Sequence, residues 1–385
     1  MSAEALASLI AELPEGVVVT DPDIVASYRQ DRALDPNAGT ALAVVRPRRT
    51  EEVQTVMRWA TANKIAVVPR GMGTGLSGGA TALNDGIVLS TEKMRDMTVD
   101  PVTRTAVAQP GLLNAEVKKT VAEYGLWYPP DPSSFEICSI GGNIATNAGG
   151  LCCVKYGVTT DYVLGLQVVL ADGTVVRLGG PRLKDVAGLS LTKLFVGSEG
   201  TLGVITEVTL RLLPPQHVAS TVVATFDSVE AAAGAVVTIT GKIRPSMLEF
   251  MDSAAINAVE DKLRMGLDRN AAAMMVAATD DRGPSGVEDA EFMAEVFTEH
   301  GAKEVFSTSD PEEGEAFVAA RRFAVPAVGG QGLTVARGRR RSAARAGRSG
   351  RRGGEDRRQQ RPDDLGDRAR RRRQHPPADR LRPRR

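Results

Sequence analysis

The sequence predicts an α+β protein with two folded domains and a tail of different composition. Apolar runs at 41–45 and 65–68 flank a helical pattern at 50–62, which together predict a β-α-β unit. Strand patterns dominate from Ile87 onward. After Pro215, strands and helices alternate as in a compact α+β domain, and we expect helices on one side of its sheet.

Local signals support each of these elements. Thr50 is a good N-cap residue, and Glu51 and Glu52 follow in the first turn, where the helix dipole favours acidic side chains. Asp172-Gly173 lies between two apolar runs and predicts a hairpin turn. The later pattern predicts strands at 219–226, 247–251, 272–278 and 302–306, and helices at 228–239, 253–263, 285–299 and 311–322.

Length and composition set the domain count and the compartment. At 385 residues, two domains are expected, and we place them at 1–213 and 214–335, with the tail at 336–385. The three cysteines form no C-x-x-C pair, which indicates a reducing compartment. The start has no basic segment of a signal peptide, and no run of about 18 apolar residues is present. We therefore expect a cytoplasmic protein without a membrane span.

The net charge of +1 hides a strong asymmetry. The tail holds 20 Arg, no Lys and 6 acidic residues, so the preceding part of the chain is acidic overall. Its only large apolar residues are two leucines, too few to bury a core, and we predict that it is disordered. A basic arm that contacts nucleic acid is one interpretation, but we consider that partner unlikely because the tail lacks Lys and aromatic residues for stacking.

The segment 67–79 is the most informative in the chain. A buried strand leads into a loop with five glycines between Gly71 and Gly79. Glycine permits positive φ angles and lets a ligand approach the main-chain N–H groups, which then form a concave anion site. Thr74 and Ser77 can add hydroxyl donors, and Arg70 can supply charge. The segment predicts a cradle for a phosphate or diphosphate.

Two familiar nucleotide-binding motifs do not fit this loop. Gly73, Gly75 and Gly78 satisfy G-x-G-x-x-G, but a turn and a strand follow where a dinucleotide-binding unit needs a helix. No G-K-[ST] follows either, which excludes a Walker loop. A hairpin without a ligand is the remaining alternative.

Two further segments are rich in small residues. A proline-stiffened stretch at 127–134 leads to 139–150, where Asn143, Thr146 and Asn147 suit hydrogen bonding to a flat polar ligand. A tightly turned packing loop is the alternative there. Residues 197–206 form a third glycine-spaced segment that leads into a strand.

In this order and spacing, the segments 69–79, 130–150 and 197–205 resemble the FAD-linked oxidoreductases of the vanillyl-alcohol oxidase type. The D-lactate, glycolate and D-2-hydroxyglutarate dehydrogenases are the most similar branch. The resemblance covers about residues 1–335. It implies an FAD-binding domain of two subdomains and an α+β cap domain of ferredoxin-like type, which is incomplete in this chain.

The resemblance also implies which residues bind FAD. The diphosphate would be held by Pro69, Arg70, Gly71, Gly73, Thr74, Gly75, Leu76, Ser77 and Gly78. The ribityl chain and ring would be lined by Pro130, Asp131, Ser139, Gly142, Asn143, Thr146, Asn147, Gly149 and Gly150. The adenosine side and the pyrimidine edge would be closed by Glu199, Gly203 and Ile205. No histidine lies near Met72, so the FAD should be non-covalent.

The implied reaction moves a hydride from the α-carbon of a 2-hydroxy acid to flavin N5, with an unidentified electron acceptor. Arg321 resembles the carboxylate-binding arginine of the family, and a solvated charge at a helix end is the alternative. We expect Arg322 at the surface.

The chain departs from the family beyond residue 335. Relatives carry a His-x-Gly-Asp-Gly-Asn-x-His segment that supplies metal ligands and a base, whereas this chain has only His217, His300 and His375. None has a partner at ligand spacing, and we predict no metal site. In a register shifted by one base, the codons for 369–376 permit His-Ala-Gly-Asp-Gly-Asn-Thr-His, and those for 337–341 permit Glu-Asp-Val-Ala-Val.

We therefore interpret the tail as a frameshifted reading of the gene. The first function hypothesis is an FAD-dependent 2-hydroxy-acid dehydrogenase that is impaired as written. The alternative is a non-catalytic flavin or nucleotide-binding protein whose tail contacts nucleic acid.

Overall fold

The computed structural model describes residues 3–329, and the tail predictions lie outside that range. The described part contains three β-sheets. None of its helices combines the length and the apolar character needed to cross a lipid bilayer.

The first sheet is built around a parallel core. Its elements are α1 (Ala3–Glu12), β1 (Val18–Val19), α2 (Pro22–Ser27), β2 (Ala43–Val45), α3 (Thr50–Asn63), β3 (Val67–Arg70) and β4 (Ile87–Ser90). The β-α-β unit is confirmed, but β4 lies between β2 and β3 and pairs with both in parallel. This order places Ile87 and Leu89 of β4 at the centre, where both are completely buried.

Helix α3 starts one residue earlier than the predicted N-cap implies. Arg49 is the cap residue and Thr50 is already helical. The Thr50 hydroxyl accepts a hydrogen bond from Gln167 Nε2 at 2.8 Å, so a contact with the second sheet replaces the expected cap.

The second sheet is antiparallel, in the order β5-β6-β9-β7-β8. This part contains β5 (Met97–Asp100), β6 (Thr105–Ala108), α4 (Asn114–Ala122), α5 (Ile140–Thr146), α6 (Cys153–Tyr156), β7 (Val163–Val169), β8 (Val175–Gly179), α7 (Thr192–Phe195) and β9 (Val204–Arg211). The predicted hairpin joins β7 to β8, with Gly173 at φ +80°.

The small-residue segment forms a helix, α5, and not the packing loop considered as an alternative. Ser139 caps it by accepting the Gly142 N–H at 3.3 Å, and Asn147 ends it in the left-handed conformation. A side chain at Gly141 would lie 2.5 Å from Pro110 Cβ. Close packing against Pro110 thus overrides the low helix propensity of glycine.

The third sheet and its helices form what we call the cap region, residues 220–329. Its elements are β10 (Ser220–Phe226), α8 (Val229–Thr240), β11 (Met247–Asp252), α9 (Ser253–Leu263), β12 (Ala273–Thr279), α10 (Pro284–Glu299), β13 (Glu304–Thr308) and α11 (Pro311–Gly329). The antiparallel order β11-β12-β10-β13 is ferredoxin-like, with α9 and α11 added.

The expectation that helices cover one side of this sheet is wrong. Alternate residues of β12 enter two different apolar clusters. Met274 and Val276 pack with α9 and α11, whereas Met275 and Ala277 pack with α8 and α10. Helices therefore cover both faces, which explains why all seven residues of β12 are buried.

The core between α10 and the third sheet gives a stability prediction. Phe226 and Phe297 are fully buried and meet edge to face, with ring centroids 5.9 Å apart. Phe297→Ala should lower the free energy of unfolding by about 3–5 kcal/mol, as measured by denaturant unfolding. Val237→Ala on the exposed side of α8 is the control and should change it by less than about 0.5 kcal/mol. Equal effects of the two substitutions would contradict this packing.

Candidate cofactor site

The three segments singled out by the sequence converge on one cavity of about 430 Å³. Its walls come from the loop after β3, from helix α5 and from the turn before β9. The predicted site residues that line it are Pro69, Arg70, Gly71, Gly73, Thr74, Gly75, Leu76, Ser77, Gly142, Asn143, Thr146, Asn147, Gly149, Glu199, Gly203 and Ile205. The cavity volume lies in the range of small-molecule and cofactor sites.

Several predicted residues lie outside the cavity wall and support it. Ser139 is the N-cap of α5, and the Pro130 carbonyl accepts from Asn114 Nδ2 at 3.2 Å. The Gly78 carbonyl accepts the Thr81 N–H at 3.0 Å and closes a turn of the loop. A side chain at Gly150 would collide with Asp131.

Asp131 belongs to a second cavity of about 330 Å³. Its Oδ1 accepts from the Cys152 N–H at 3.2 Å, and its Oδ2 lies 3.6 Å from Arg322 Nη2. The segment that follows divides the two cavities, since residues 132–134 line the first cavity and Phe135 lines the second.

Sequence reasoning missed other residues of the cavity wall. Pro132, Ser133 and Ser134 end the proline-stiffened stretch at 127–134, which was singled out without assigning these three residues to the site. Asp31 and Arg32 carry no motif signal, because they come from a loop before β2. The remaining additions are Met72, Gly79, Ala80, Thr91, Pro110, Gly141, Ala145, Ala148, Gly200, Val204, Arg322, Val325 and Pro326.

Arg70 is the centre around which the glycine loop folds. It is 9% exposed, and its Nη1 donates to the Ala80 carbonyl at 3.1 Å. Asp31 Oδ2 accepts the main-chain N–H of Ala80 at 3.4 Å. Gly73 has a φ of +66°, and a side chain there would collide with the guanidinium. The arginine thus joins the start of the loop to its end.

The main-chain N–H groups of residues 71–79 remain available to a ligand. None of them donates to another group within residues 3–329. Burial lowers the pKa of Arg70, while the nearby charges of Asp31, Tyr28 and Glu92 raise it. The guanidinium remains protonated near neutral pH. Unpaired amides above a buried cation form an anion site.

The turn before β9 docks onto α5 and closes the opposite wall. The Gly197 N–H donates to the Ile144 carbonyl at 2.9 Å, and the Glu199 N–H donates to the Ala145 carbonyl at 2.8 Å. Glu199 has a φ of +51°. A side chain at Gly79 would lie 2.5 Å from Glu199 Oε2, so the glycine loop and this turn are in close contact.

The amide of Asn143 is directed into the protein. Its Oδ1 accepts from Asn114 Nδ2 at 3.0 Å, and its Nδ2 donates to Cys138 Sγ at 3.1 Å. Thr146 donates to the Gly142 carbonyl at 2.9 Å. Asn147 Oδ1 accepts the Thr160 N–H at 2.9 Å. These side chains order α5 and the residues after it, rather than offering a free row of donors.

The two arginines of α11 have different surroundings. Arg321 Nη2 lies 2.7 Å from Glu249 Oε2, and Arg321 is not part of the first cavity wall. Arg322 lines both cavities, and its side chain is only 21% exposed, so the expectation of a surface position is wrong. Residues one apart point about 100° away from each other on a helix, which explains the different environments.

Comparisons with known proteins agree with this architecture. Residues 41–179 match the family described as FAD binding domain, and residues 215–337 match FAD linked oxidases, C-terminal domain. The chain is similar to the glycolate oxidase subunit GlcD of Bacillus subtilis, with 41% identity over 288 residues, 74% of this chain and 61% of that protein. It is also 41% identical to the D-lactate dehydrogenase of Archaeoglobus fulgidus over 256 residues, 66% of this chain and 57% of that protein.

The fold is shared with solved structures of other enzymes. A structure of p-cresol methylhydroxylase with substrate bound superposes with a TM-score of 0.70 at 18% identity, covering 83% of this chain and 68% of that one. The chain belongs to the FAD-linked oxidoreductases, and its fold is of the vanillyl-alcohol oxidase type. Its matched part spans about three fifths of the length of the GlcD protein.

The cofactor of this flavoprotein is FAD, and the cavity fits it. The unpaired amides of residues 71–79 match the acceptor oxygens of a diphosphate. The small residues of α5 and the turn at 197–203 leave room for a flat ring. Within residues 3–329, no group of three or more His, Cys, Asp or Glu side chains is placed to hold a metal ion.

The contact between Gly73 and Arg70 gives a test of the FAD site. Gly73→Ala should weaken FAD binding at least about tenfold, because the new methyl group must displace the arginine that holds the loop. Gly125→Ala is a matched control, since Gly125 has a similar φ of +68° but open space around it.

FAD affinity of the two variants can be measured by quenching of flavin fluorescence. If both variants lost FAD affinity to a similar extent, backbone strain alone would explain the loss. That result would contradict the role of Arg70.

Proposed function

We propose that this flavoprotein oxidises a small 2-hydroxy acid of the glycolate or D-lactate type. FAD, when bound, accepts the hydride from the α-carbon of the substrate. One observation carries the proposal: a cation from the cap region, Arg322, lines the same cavity as the glycine loop. A carboxylate substrate would thus be held beside the cofactor. The names of the relatives, glycolate oxidase subunit and D-lactate dehydrogenase, support this substrate class.

Two adjacent arginines, Arg321 and Arg322, are candidates for the cation that binds the substrate carboxylate. The structure favours Arg322 as the residue that faces the substrate, because Arg321 is held by Glu249. Arg322 is balanced by Glu315, with 2.7 Å between Nη1 and Oε1, and by the more distant Asp131. A substrate carboxylate would compete with these two side chains for the guanidinium.

The cofactor is held without a covalent bond to histidine in this proposal. His217 accepts a hydrogen bond from Arg282, and His300 Nε2 lies 3.0 Å from the Thr238 hydroxyl. Neither lines the cavity. Some relatives attach the flavin through a histidine in the glycine loop, and Met72 and its neighbours offer none.

We also propose that turnover by this chain is low. The sequence lacks the two-histidine segment described above, and the match to the oxidase C-terminal domain stops at residue 337, where the composition changes. The end of this match supports a frameshift near codon 336. Its start at residue 215 supports a domain division near residue 214.

The reaction can be tested on the flavin itself. Purified protein should be yellow, and its flavin absorbance should bleach slowly under anaerobic conditions after addition of glycolate or D-lactate. A version with the shifted reading frame restored after codon 336 should bleach faster, because it regains the histidine segment. Persistent colour in both versions would refute hydroxy-acid oxidation and favour a non-catalytic flavin protein.

Binding of oxalate, a carboxylate that cannot be oxidised in this way, tests the arginines separately from turnover. Arg322→Ala should weaken oxalate binding about tenfold or more, as expected for loss of a charge-assisted hydrogen bond. The perturbation of the flavin spectrum measures the Kd. Arg269→Ala, on the exposed side of the cap region, is the control. A larger effect of Arg321→Ala would assign the carboxylate to Arg321.

A further inference from the structure

A buried carboxylate lies where the cap region meets the rest of the protein. Asp280 follows β12 directly, and its side chain is 1% exposed. Its Oδ1 accepts from Lys155 Nζ at 2.5 Å. Its Oδ2 accepts from the Tyr156 hydroxyl and from Gln216 Nε2, the latter at 2.9 Å. All three donors come from outside the cap region.

These donors belong to two different structural elements. Lys155 and Tyr156 lie on α6, whereas Gln216 lies in the connection that follows β9. Burial alone would raise the pKa of Asp280, but the hydrogen bonds from the three donors outweigh burial and lower it. The carboxylate is therefore charged near neutral pH, and the free energy of this contact depends on all three partners staying in place.

The position of Asp280 is transmitted to Arg322 through packing. Strand β12 and helix α11 contribute to one apolar cluster, in which Val276 and Ala278 lie with Val318 and Ala324. A shift of β12 relative to α6 would therefore carry α11 with it. Interiors at this packing density transmit displacement rather than absorb it.

A second polar contact crosses the same junction. Arg322 approaches Asp131 at 3.6 Å, and its guanidinium lies 5.0 Å from the centre of the Phe135 ring. Asp131 and Phe135 flank residues 132–134, which line the cofactor cavity, so this contact ties α11 to that segment. Two separated contacts restrict rotation of the cap region more than one contact would.

We propose that Asp280 is the positioning residue that holds the cap region, and with it Arg322, in place over the FAD site. This inference rests on the proposed function for its effect on substrate binding. The contacts of Asp280 with Lys155, Tyr156 and Gln216, which we call the anchor, can be tested separately by hydrogen exchange.

Neighbouring aspartates provide a matched pair of variants. Asp280→Asn keeps the shape of the side chain but removes the charge that three donors share. Asp281→Asn is the control, because Asp281 shares the Lys155 partner, at 2.6 Å, but its side chain is 44% exposed. Tyr156→Phe removes one donor while keeping the ring, which packs edge to face on Trp127.

Hydrogen exchange of the full-length protein loaded with FAD measures the anchor directly. In Asp280→Asn, amides at 152–156 and 216–221 should exchange about tenfold faster or more, because the neutral side chain replaces the charge-assisted hydrogen bonds of the carboxylate with weaker ones. Tyr156→Phe should show a smaller change in the same direction, and Asp281→Asn should resemble the unsubstituted protein. Equal exchange in Asp280→Asn and Asp281→Asn would overturn the proposal.

Oxalate binding then tests the consequence for the site. Asp280→Asn should keep its yellow colour but bind oxalate about tenfold more weakly, whereas Asp281→Asn should bind it normally. Unchanged oxalate affinity in Asp280→Asn would refute the positioning role. Failure of the unsubstituted protein to bind oxalate would count against the proposed function, and the exchange experiment would still decide whether Asp280 is the anchor.

Discussion

The contact between the Arg70 guanidinium and the Ala80 carbonyl is the constraint on which the FAD site depends. It closes the glycine loop around a buried cation, so the loop needs few hydrogen bonds among its own amides. The carboxylate of Asp31 accepts the N–H of Ala80 and holds that residue from the other side. The amides of 71–79 are therefore fixed in place and still unpaired, which is the property that anion binding requires.

The rest of the described chain brings other groups to this loop. Parallel pairing of β3 with β4 places the loop at the carboxyl end of β3, where α/β sheets usually bind ligands. Helix α5 packs by means of its small residues and forms the adjoining wall. The ferredoxin-like cap region supplies Arg322 from a separate core. The glycine loop and Arg322 are thus carried by different packing units, and their contact combines polar groups around Asp280 with Leu151, which joins the apolar cluster of the cap region.

Much of this arrangement could be predicted from the sequence, for identifiable reasons. The glycine loop and the cap strands could be predicted because local sequence patterns determine them, independently of distant contacts. The position of β4 could not be predicted, because strand order depends on non-local pairing. Helix α5 was missed because packing against Pro110 overrides the propensity of its glycines. Which of Arg321 and Arg322 lines the cavity could not be predicted, because it depends on how α11 packs against the rest of the protein.

If the loop around Arg70 binds the diphosphate of FAD, affinity should depend on the phosphate groups of the ligand. Binding of FAD, FMN and riboflavin to the refolded apoprotein can be compared by quenching of flavin fluorescence. We expect FAD to bind most tightly and riboflavin, which has no phosphate, to bind at least about a hundredfold more weakly. Equal affinity for FAD and riboflavin would show that the loop contributes nothing to binding and would rule out a diphosphate site there.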